Sequence, residues 1–483
     1  METELIFEKS REGREGFSLP ELDVPAKRIE DMLPAGCLRR SRPALPELSE
    51  VDIVRHFVNL SHKNVGVDTH FYPLGSCTMK YNPKINETLA SLPGMLKVHP
   101  YQPEEFSQGI LELMYLLGEY LKEISGMAGV SLQPAAGAHG ELAGVLIMRA
   151  YHLDRGERRT RILIPDSAHG TNPASTAICG FEPVEIKSDS RGNVDIDDLR
   201  SRCDSSTVGL MLTIPSTLGL FDEGLPEIAE ILHSRGALLY MDGANLNAVM
   251  GIMRPGDAGV DLMHFNLHKT FSTPHGMGGP GAGPVAVARH LADFLPVPLV
   301  RRTGRGYSLD YGVPRTIGKV KSFYGNVSVM VKAFCYILSL GARGVRRVSQ
   351  MAVLNANYLM ERLKKHYFLK YDRRCMHEFV ISARRQLKEH GVRAMDISKR
   401  LLDLGFHPPT NYFPLIVDEA LMIEPTENES RETLDAFADA LVQIAAEAKK
   451  DPELLHRAPR TTPVGRLDEV RAVKEPVLRY MRK

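Results

Sequence analysis

The chain has 483 residues, 43% of them hydrophobic and 25% charged, ordinary globular values that exclude global disorder. Lys and Arg number 60 against 59 Asp and Glu, and a net charge of +1 offers no global field for nucleic acid or an acidic membrane, so neither is expected as a partner. Six scattered cysteines, at 37, 77, 179, 203, 335 and 375, form no C-x-x-C pair, which excludes a disulfide framework or zinc-finger layout; with no signal-peptide core near Met1 and no uninterrupted apolar stretch of ~20 residues, a soluble, cytoplasmic protein is expected.

At about 150 residues per domain the length suits roughly three domains, two large ones, or one large and one small domain with arms. The pattern favours the last: an arm over 1–60, a large domain over 61–325, and a small C-terminal α/β domain with a tail over 326–483. Five prolines between Pro20 and Pro46, set among charges, leave the arm little periodicity, so it is expected to wrap a neighbouring surface rather than fold alone. Helical spacing appears over 51–63, and a turn-rich segment with aromatic and hydroxyl groups follows over 69–83. An amphipathic helix is predicted over 104–125, with Phe106, Ile110, Leu113, Leu117, Leu121 and Ile124 on one face.

From about 130 to 290 short apolar runs alternate with helical segments. The strand candidates are Arg161–Ile164, Gly209–Ile214, Ala237–Met241 and Leu262–Phe265, and Leu225–Gly236 reads as a helix with Pro226 just inside its start and Gly236 at its stop. Such alternation predicts a mostly parallel sheet covered on both faces, with ligands bound beyond the carboxyl ends of its strands. A long helix near 326–366 leads out of this domain. Strands over 376–383 and 413–423 and helices over 394–404 and 430–448 then describe the smaller domain.

Asp242 follows directly on the strand Ala237–Met241, and Lys269 lies 27 residues on, in a polar turn after Leu262–Phe265. Either alone is a turn carboxylate or a solvated amine. Together, one strand unit apart, they suit pyridoxal phosphate, whose aldehyde takes a Lys amine and whose ring nitrogen takes a carboxylate. Desolvation would help Lys269 act as a nucleophile. Pro134-Ala-Ala-Gly-Ala-His-Gly-Glu-Leu-Ala-Gly144 puts small residues at a helix start, where free amides form an anion site for the phosphate. His169, in the turn after Arg161–Ile164, is a candidate to stack on the cofactor ring or else a surface-turn histidine. Thr217, after Gly209–Ile214, is a candidate donor to the cofactor or else a turn hydroxyl. Gly276-Met-Gly-Gly-Pro-Gly281 matches G-x-G-x-x-G, but it opens no helix and lacks a following acid, so it reads as a turn beside the active site rather than a nucleotide site. His264 and His268 lie on a strand and a turn, where i,i+4 spacing does not converge on a metal, and no metal site is expected.

Tyr72-Pro-Leu-Gly-Ser-Cys-Thr-Met-Lys-Tyr-Asn-Pro83, Ala138-His-Gly-Glu141, Asp166-Ser-Ala-His-Gly-Thr-Asn-Pro-Ala174, Tyr240-Met-Asp-Gly-Ala-Asn-Leu-Asn247 and His264-Phe-Asn-Leu-His-Lys-Thr-Phe-Ser-Thr-Pro-His275 carry a resemblance, joined by Phe413-Pro-Leu-Ile-Val and Ala420-Leu-Met-Ile-Glu-Pro-Thr426. Over about residues 60–470 the chain resembles the glycine decarboxylase P-protein of the glycine cleavage system, in particular its lysine-bearing half where the enzyme is split in two. The resemblance implies an α/β, fold-type I, aspartate aminotransferase-like architecture with a mostly parallel seven-stranded sheet. It implies Lys269 as the residue that binds pyridoxal 5'-phosphate covalently, Asp242 as the ring-nitrogen partner and His169 as the stacking group, with Ala138, His139, Thr217, Ala244 and His268 completing the cofactor site. It also implies glycine as substrate, decarboxylated when its carboxylate bond is held perpendicular to the ring. The lipoylated H-protein is the implied acceptor, and a first subunit the implied partner in an α2β2 heterotetramer. The segments 69–83 and 270–283 are expected at the mouth of a channel for the lipoyl arm. Two residues depart from the family pattern: Met277 in a glycine run, where it would narrow access, and Arg460 where His is expected. Another fold-type I decarboxylase or lyase without a carrier protein, and a non-catalytic scaffold subunit, are the competing readings.

Overall fold

A computed structural model describes residues 4–41, 43–275 and 279–480, so Met277 and the Gly276–Gly278 part of the glycine-rich turn lie outside the described residues. Contacts divide the chain into a unit of Met1–Thr69 with Thr461–Lys483 and a unit of His70–Arg460. In the first, Ser49 caps the helix Glu50–Ser61 by accepting the Asp52 amide at 3.2 Å, and Phe7 stacks on Tyr480 at 4.6 Å between ring centroids. Phe17 and Leu19 are both 85% exposed, in keeping with a proline-rich segment that buries little of itself.

The second unit is built on a seven-stranded sheet. Its strands are β1 (Gly129–Ser131), β2 (Arg161–Pro165), β3 (Glu182–Ile186), β4 (Thr207–Thr213), β5 (Leu238–Gly243), β6 (Leu262–Phe265) and β7 (Val285–Val287), in the order β1-β7-β6-β5-β4-β2-β3. The strands β6, β5, β4, β2 and β3 run parallel, and β7 is antiparallel to both β6 and β1. β4 and β5 are buried along their whole length because helices cover both faces, which is why they read as continuous apolar runs. Side chains alternate along β5. Leu238 and Tyr240 join the core under the helix Gly137–Asp154, whereas Leu239 and Met241 join the core that holds the helices Glu104–Ser125 and Leu225–Ser234.

On Glu104–Ser125 the expected apolar face holds from Ile110 to Leu121, but Phe106, in the first turn, is 72% exposed and does not belong to it. The strands β8 (Leu299–Thr303) and β9 (Gly306–Asp310) form a separate hairpin. The helix Val327–Leu363 is interrupted at Gly341 (φ +58°) and serves two cores, with Val329, Met330 and Val331 in the first and Leu359, Met360 and Leu363 in the second. By length and a mean hydropathy of 1.3 over its most apolar stretch this helix could cross a membrane, a property shared by core helices with two partners.

The smaller core lies on β10 (Phe379–Ser382), β11 (Thr410–Asn411) and β12 (Ala420–Ile423), an antiparallel sheet in the order β10-β12-β11, covered by the helices Ala394–Asp403 and Arg431–Lys450. The strand expected over 413–423 is confined to its last four residues. Before it, the Val417 amide turns back to the Pro414 carbonyl at 3.1 Å, and Leu415 is 84% exposed.

Candidate active site

The carboxyl ends of β2, β4, β5 and β6 bring the sequence-predicted residues to one edge of the sheet. Asp242, the penultimate residue of β5, is buried. It accepts the Ala244 amide at 2.9 Å and the Asn172 side-chain amide at 3.2 Å, and stands 3.3 Å from His264 Nε2. Burial alone would raise its pKa; His264, the Ala244 amide, the Lys269 charge and Asn172 outweigh it and hold the carboxyl below the ordinary value. Lys269 sits in the single helical turn Leu267–Thr270 after β6, and its Nζ donates to the Ser76 carbonyl at 2.7 Å.

The helix Gly137–Asp154 starts at the same edge. Ala136 precedes it in an extended conformation with no side-chain cap, so its first amides are left for an incoming acceptor. Close approach explains its glycines: a Cβ on Gly137 would stand 2.3 Å from Asn266 Oδ1, and one on Gly283 in the facing loop 2.0 Å from the Ala136 carbonyl. Ala138 lies exposed in this first turn. Beside it, His139 accepts the Ala135 amide through Nδ1 at 3.2 Å, with Nε2 3.0 Å from the Val320 carbonyl, so its ring ties the helix start to two loops.

His169 lies in the turn after β2, with Nδ1 2.9 Å from the Thr171 hydroxyl and its ring edge-on to Phe413 at 5.7 Å. Partial desolvation and the Lys269 charge hold it below its ordinary pKa. Thr217 is buried and its hydroxyl donates to the Ser167 carbonyl, which binds the turn after β4 to the one that carries His169. His268 accepts the Ala282 amide at 3.3 Å through Nδ1, and burial with the adjacent Lys269 charge brings its pKa down to about 3.

Other residues at this edge were quoted in the sequence motifs without a role. His264, weighed above only as a metal ligand, is fully buried between the Tyr240 hydroxyl, 2.6 Å from its Nδ1, and Asp242. Glu141 accepts from Thr171 at 2.9 Å, Asn172 at 2.7 Å and Ser175 at 3.1 Å; burial, then the Asp242 charge, raises it to about 8. Two neighbouring carboxyls are thus driven apart, Glu141 neutral and Asp242 ionised near pH 7. The available signal was a Glu one helical turn inside a glycine-rich helix start and a His inside an apolar strand, since such groups are buried only with partners. Among the described residues, Glu141, Asp242 and His264 form one convergent set of potential metal-binding groups and His377, Glu378 and Glu424 another.

These residues fit pyridoxal phosphate. An uncapped helix start floored by glycines suits a phosphate, an ionised buried carboxylate suits a protonated ring nitrogen, and the Lys269 amine suits an aldehyde.

The family described as "Glycine cleavage system P-protein" matches residues 23–305, and that described as "Glycine dehydrogenase, C-terminal domain" matches 348–457. A protein of Caldanaerobacter subterraneus subsp. tengcongensis named probable glycine dehydrogenase (decarboxylating) subunit 2 is 61% identical over 477 residues, covering 99% of this chain and 98% of that one. A protein of the same name from Chlorobaculum tepidum is 56% identical over 479 residues, covering 98% and 99%. Among solved structures, an inhibitor-bound glycine decarboxylase (P-protein) of the glycine cleavage system aligns with a TM-score of 0.73 at 21% identity, over 86% of this chain and 94% of that one. Lactobacillus brevis glutamate decarboxylase aligns with a TM-score of 0.66 at 15% identity, over 86% and 96%. The fold is therefore that of the fold-type I pyridoxal-phosphate enzymes. Because the family match spans residues 23–305 and the 61% identity extends over 99% of the chain, this protein belongs to the glycine cleavage system P-protein family.

Proposed function

We propose that this chain is the lysine-bearing subunit of a glycine decarboxylase that binds pyridoxal phosphate covalently through Lys269, releases CO2 from glycine and passes the aminomethyl group to the lipoyl arm of an H-protein. The observation that carries the reading is the placement of an amine, Lys269, and an ionised buried carboxylate, Asp242, at the ends of adjacent parallel strands. When bound, the cofactor supplies an aldehyde for amines and an electron sink for the pair left as a carboxylate departs.

The protein's own groups do the rest. Asp242 keeps a negative charge where a protonated ring nitrogen needs one, and Tyr240, through His264, fixes the orientation of that carboxylate. Glu141 stays neutral and spares the pocket a second charge. The amides at the start of Gly137–Asp154, around Ala138 and His139, would hold the phosphate. His169, in a turn steadied by Thr217, would stack on the cofactor ring; the Ala244 amide fixes the Asp242 carboxylate, and His268 accepts the Ala282 amide beside Lys269.

A partner subunit is implied by the "subunit 2" in the relatives' names, and we assign a first subunit and an α2β2 assembly. Exposed apolar side chains in the Met1–Thr69 unit, among them Phe17, Leu19, Val54 and Phe57, support a surface that a partner covers.

The test is chemical. Borohydride reduction of the enzyme purified with its partner should fix the cofactor to the peptide that contains Lys269, and Lys269→Ala should retain none after dialysis. Fixation to another lysine overturns the assignment.

A further inference from the structure

The turn at Ser76–Thr78 is left-handed at two non-glycine residues, Ser76 (φ +62°) and Thr78 (φ +49°), a conformation that side chains disfavour unless surrounding bonds impose it. Two carboxyl side chains from the small domain impose it. Glu378, ahead of β10, accepts the Ser76 amide at 2.5 Å, and Glu424, just beyond β12, accepts the Thr78 amide at 2.8 Å and its hydroxyl at 2.7 Å. Both carboxyls are fully buried. The preceding residues are seated on the same sheet: Leu74 bridges Ile423, and a Cβ on Gly75 would meet Met422 Cγ at 2.2 Å. This geometry aims the Ser76 carbonyl at Lys269 Nζ, 2.7 Å away.

Among the described residues, no hydrogen bond joins Glu378 or Glu424 to Lys269 or to the residues assigned to the cofactor. Glu378 also accepts the Asn245 side-chain amide at 3.3 Å, and His377 Nε2 stands 3.8 Å from each carboxyl; their other bonds go to the turn. If Lys269 carries the cofactor, its amino group is released whenever another amine displaces it, and a buried donor then needs an acceptor within reach. Resting on that reading, we propose that the Ser76 carbonyl is the station that receives the released Lys269 amino group, and that Glu378 and Glu424 are positioning residues that keep the station formed. Burial pushes Glu424 up to about 7, and burial with the Glu424 charge pushes Glu378 well above its ordinary value.

The station lowers the free energy of the lysine-released state, so damaging it should make Lys269 harder to displace. Methylamine is the probe: the cofactor-loaded enzyme with its partner is equilibrated with increasing methylamine, reduced with borohydride, and the fraction of cofactor fixed to the Lys269 peptide is measured. Glu424→Leu takes both acceptors away from Thr78, and Thr78→Val removes the hydroxyl while keeping its shape. Glu424→Leu and Thr78→Val should each raise the half-displacing methylamine concentration roughly tenfold, the worth of one buried hydrogen bond left unmade. Amide exchange at 76–78 should quicken in parallel, and Thr78→Ser should restore the wild-type value. Unchanged displacement in Thr78→Val despite quicker exchange at 76–78 would overturn the station, because the turn would then have loosened without consequence for Lys269. Cofactor fixed to a lysine other than Lys269 in the wild type would overturn it together with the reading it rests on.

Discussion

Glu141→Gln should stabilise this protein, increasingly so at alkaline pH. In the folded chain Glu141 titrates at about 8 against an ordinary value of 4.5, so between those limits the folded state binds more protons than the unfolded state. Stability therefore falls as pH rises from about 5 to about 8 and levels off above, by the linkage between proton uptake and folding. A difference of about 3.5 at 1.36 kcal/mol per pKa unit sets a ceiling of about 5 kcal/mol, and relaxation of the pocket brings the expected gain to ~2–3 kcal/mol. Gln suits the bonds already present: its oxygen can accept from Thr171 and Asn172, and its N–H₂ can donate to the Ser175 hydroxyl. Urea unfolding of wild type and variant at about pH 6, 7 and 8.5 measures the gap, which should widen with pH. A variant less stable than wild type at every pH, or a constant gap, would refute a neutral Glu141 beside an ionised Asp242.

Three further outcomes follow from the same geometry. Gly283→Ala forces a Cβ to 2.0 Å from the Ala136 carbonyl, so thermal unfolding should show a loss of about 1–3 kcal/mol and gel-filtered protein should retain less cofactor. Lys80 is buried among Glu427 at 2.8 Å, Asn247 at 2.8 Å and Tyr336 at 3.1 Å; Lys80→Met strands the Glu427 charge and should cost about 3–5 kcal/mol in denaturant unfolding. Asp242→Asn keeps the shape but removes the charge that Ala244, Asn172 and His264 surround. Cofactor titration followed by absorbance should show binding weakened about tenfold or more, one charge-assisted hydrogen bond being worth ~1.5–3 kcal/mol.

What the sequence shows of this fold follows burial. β2, β4, β5 and β6 were legible because their apolar runs are sandwiched between helices, and the Asp242 and Lys269 positions follow from where those runs end. β1 and β7 have three residues each, too short for a period, and β3 reads Glu-Pro-Val-Glu-Ile because it is an edge strand with one face in water. Phe106 fitted the helical period, yet it lies in the first turn, where little packs over it. The partners of Asp242 were harder to see. His264 and Tyr240 alternate with core residues on adjacent strands, so only the three-dimensional register shows that they meet. Glu378 and Glu424 reach Ser76 and Thr78 across more than 300 residues of chain, a link that neither spacing nor local pattern encodes.

The central claim is tested most directly by exchange of labelled bicarbonate into the carboxyl group of glycine, with this chain, its partner subunit and lipoylated H-protein. The account predicts exchange that depends on the H-protein and is lost in Lys269→Ala. Exchange that survives Lys269→Ala, or none from a correctly assembled enzyme with cofactor fixed at Lys269, would contradict it.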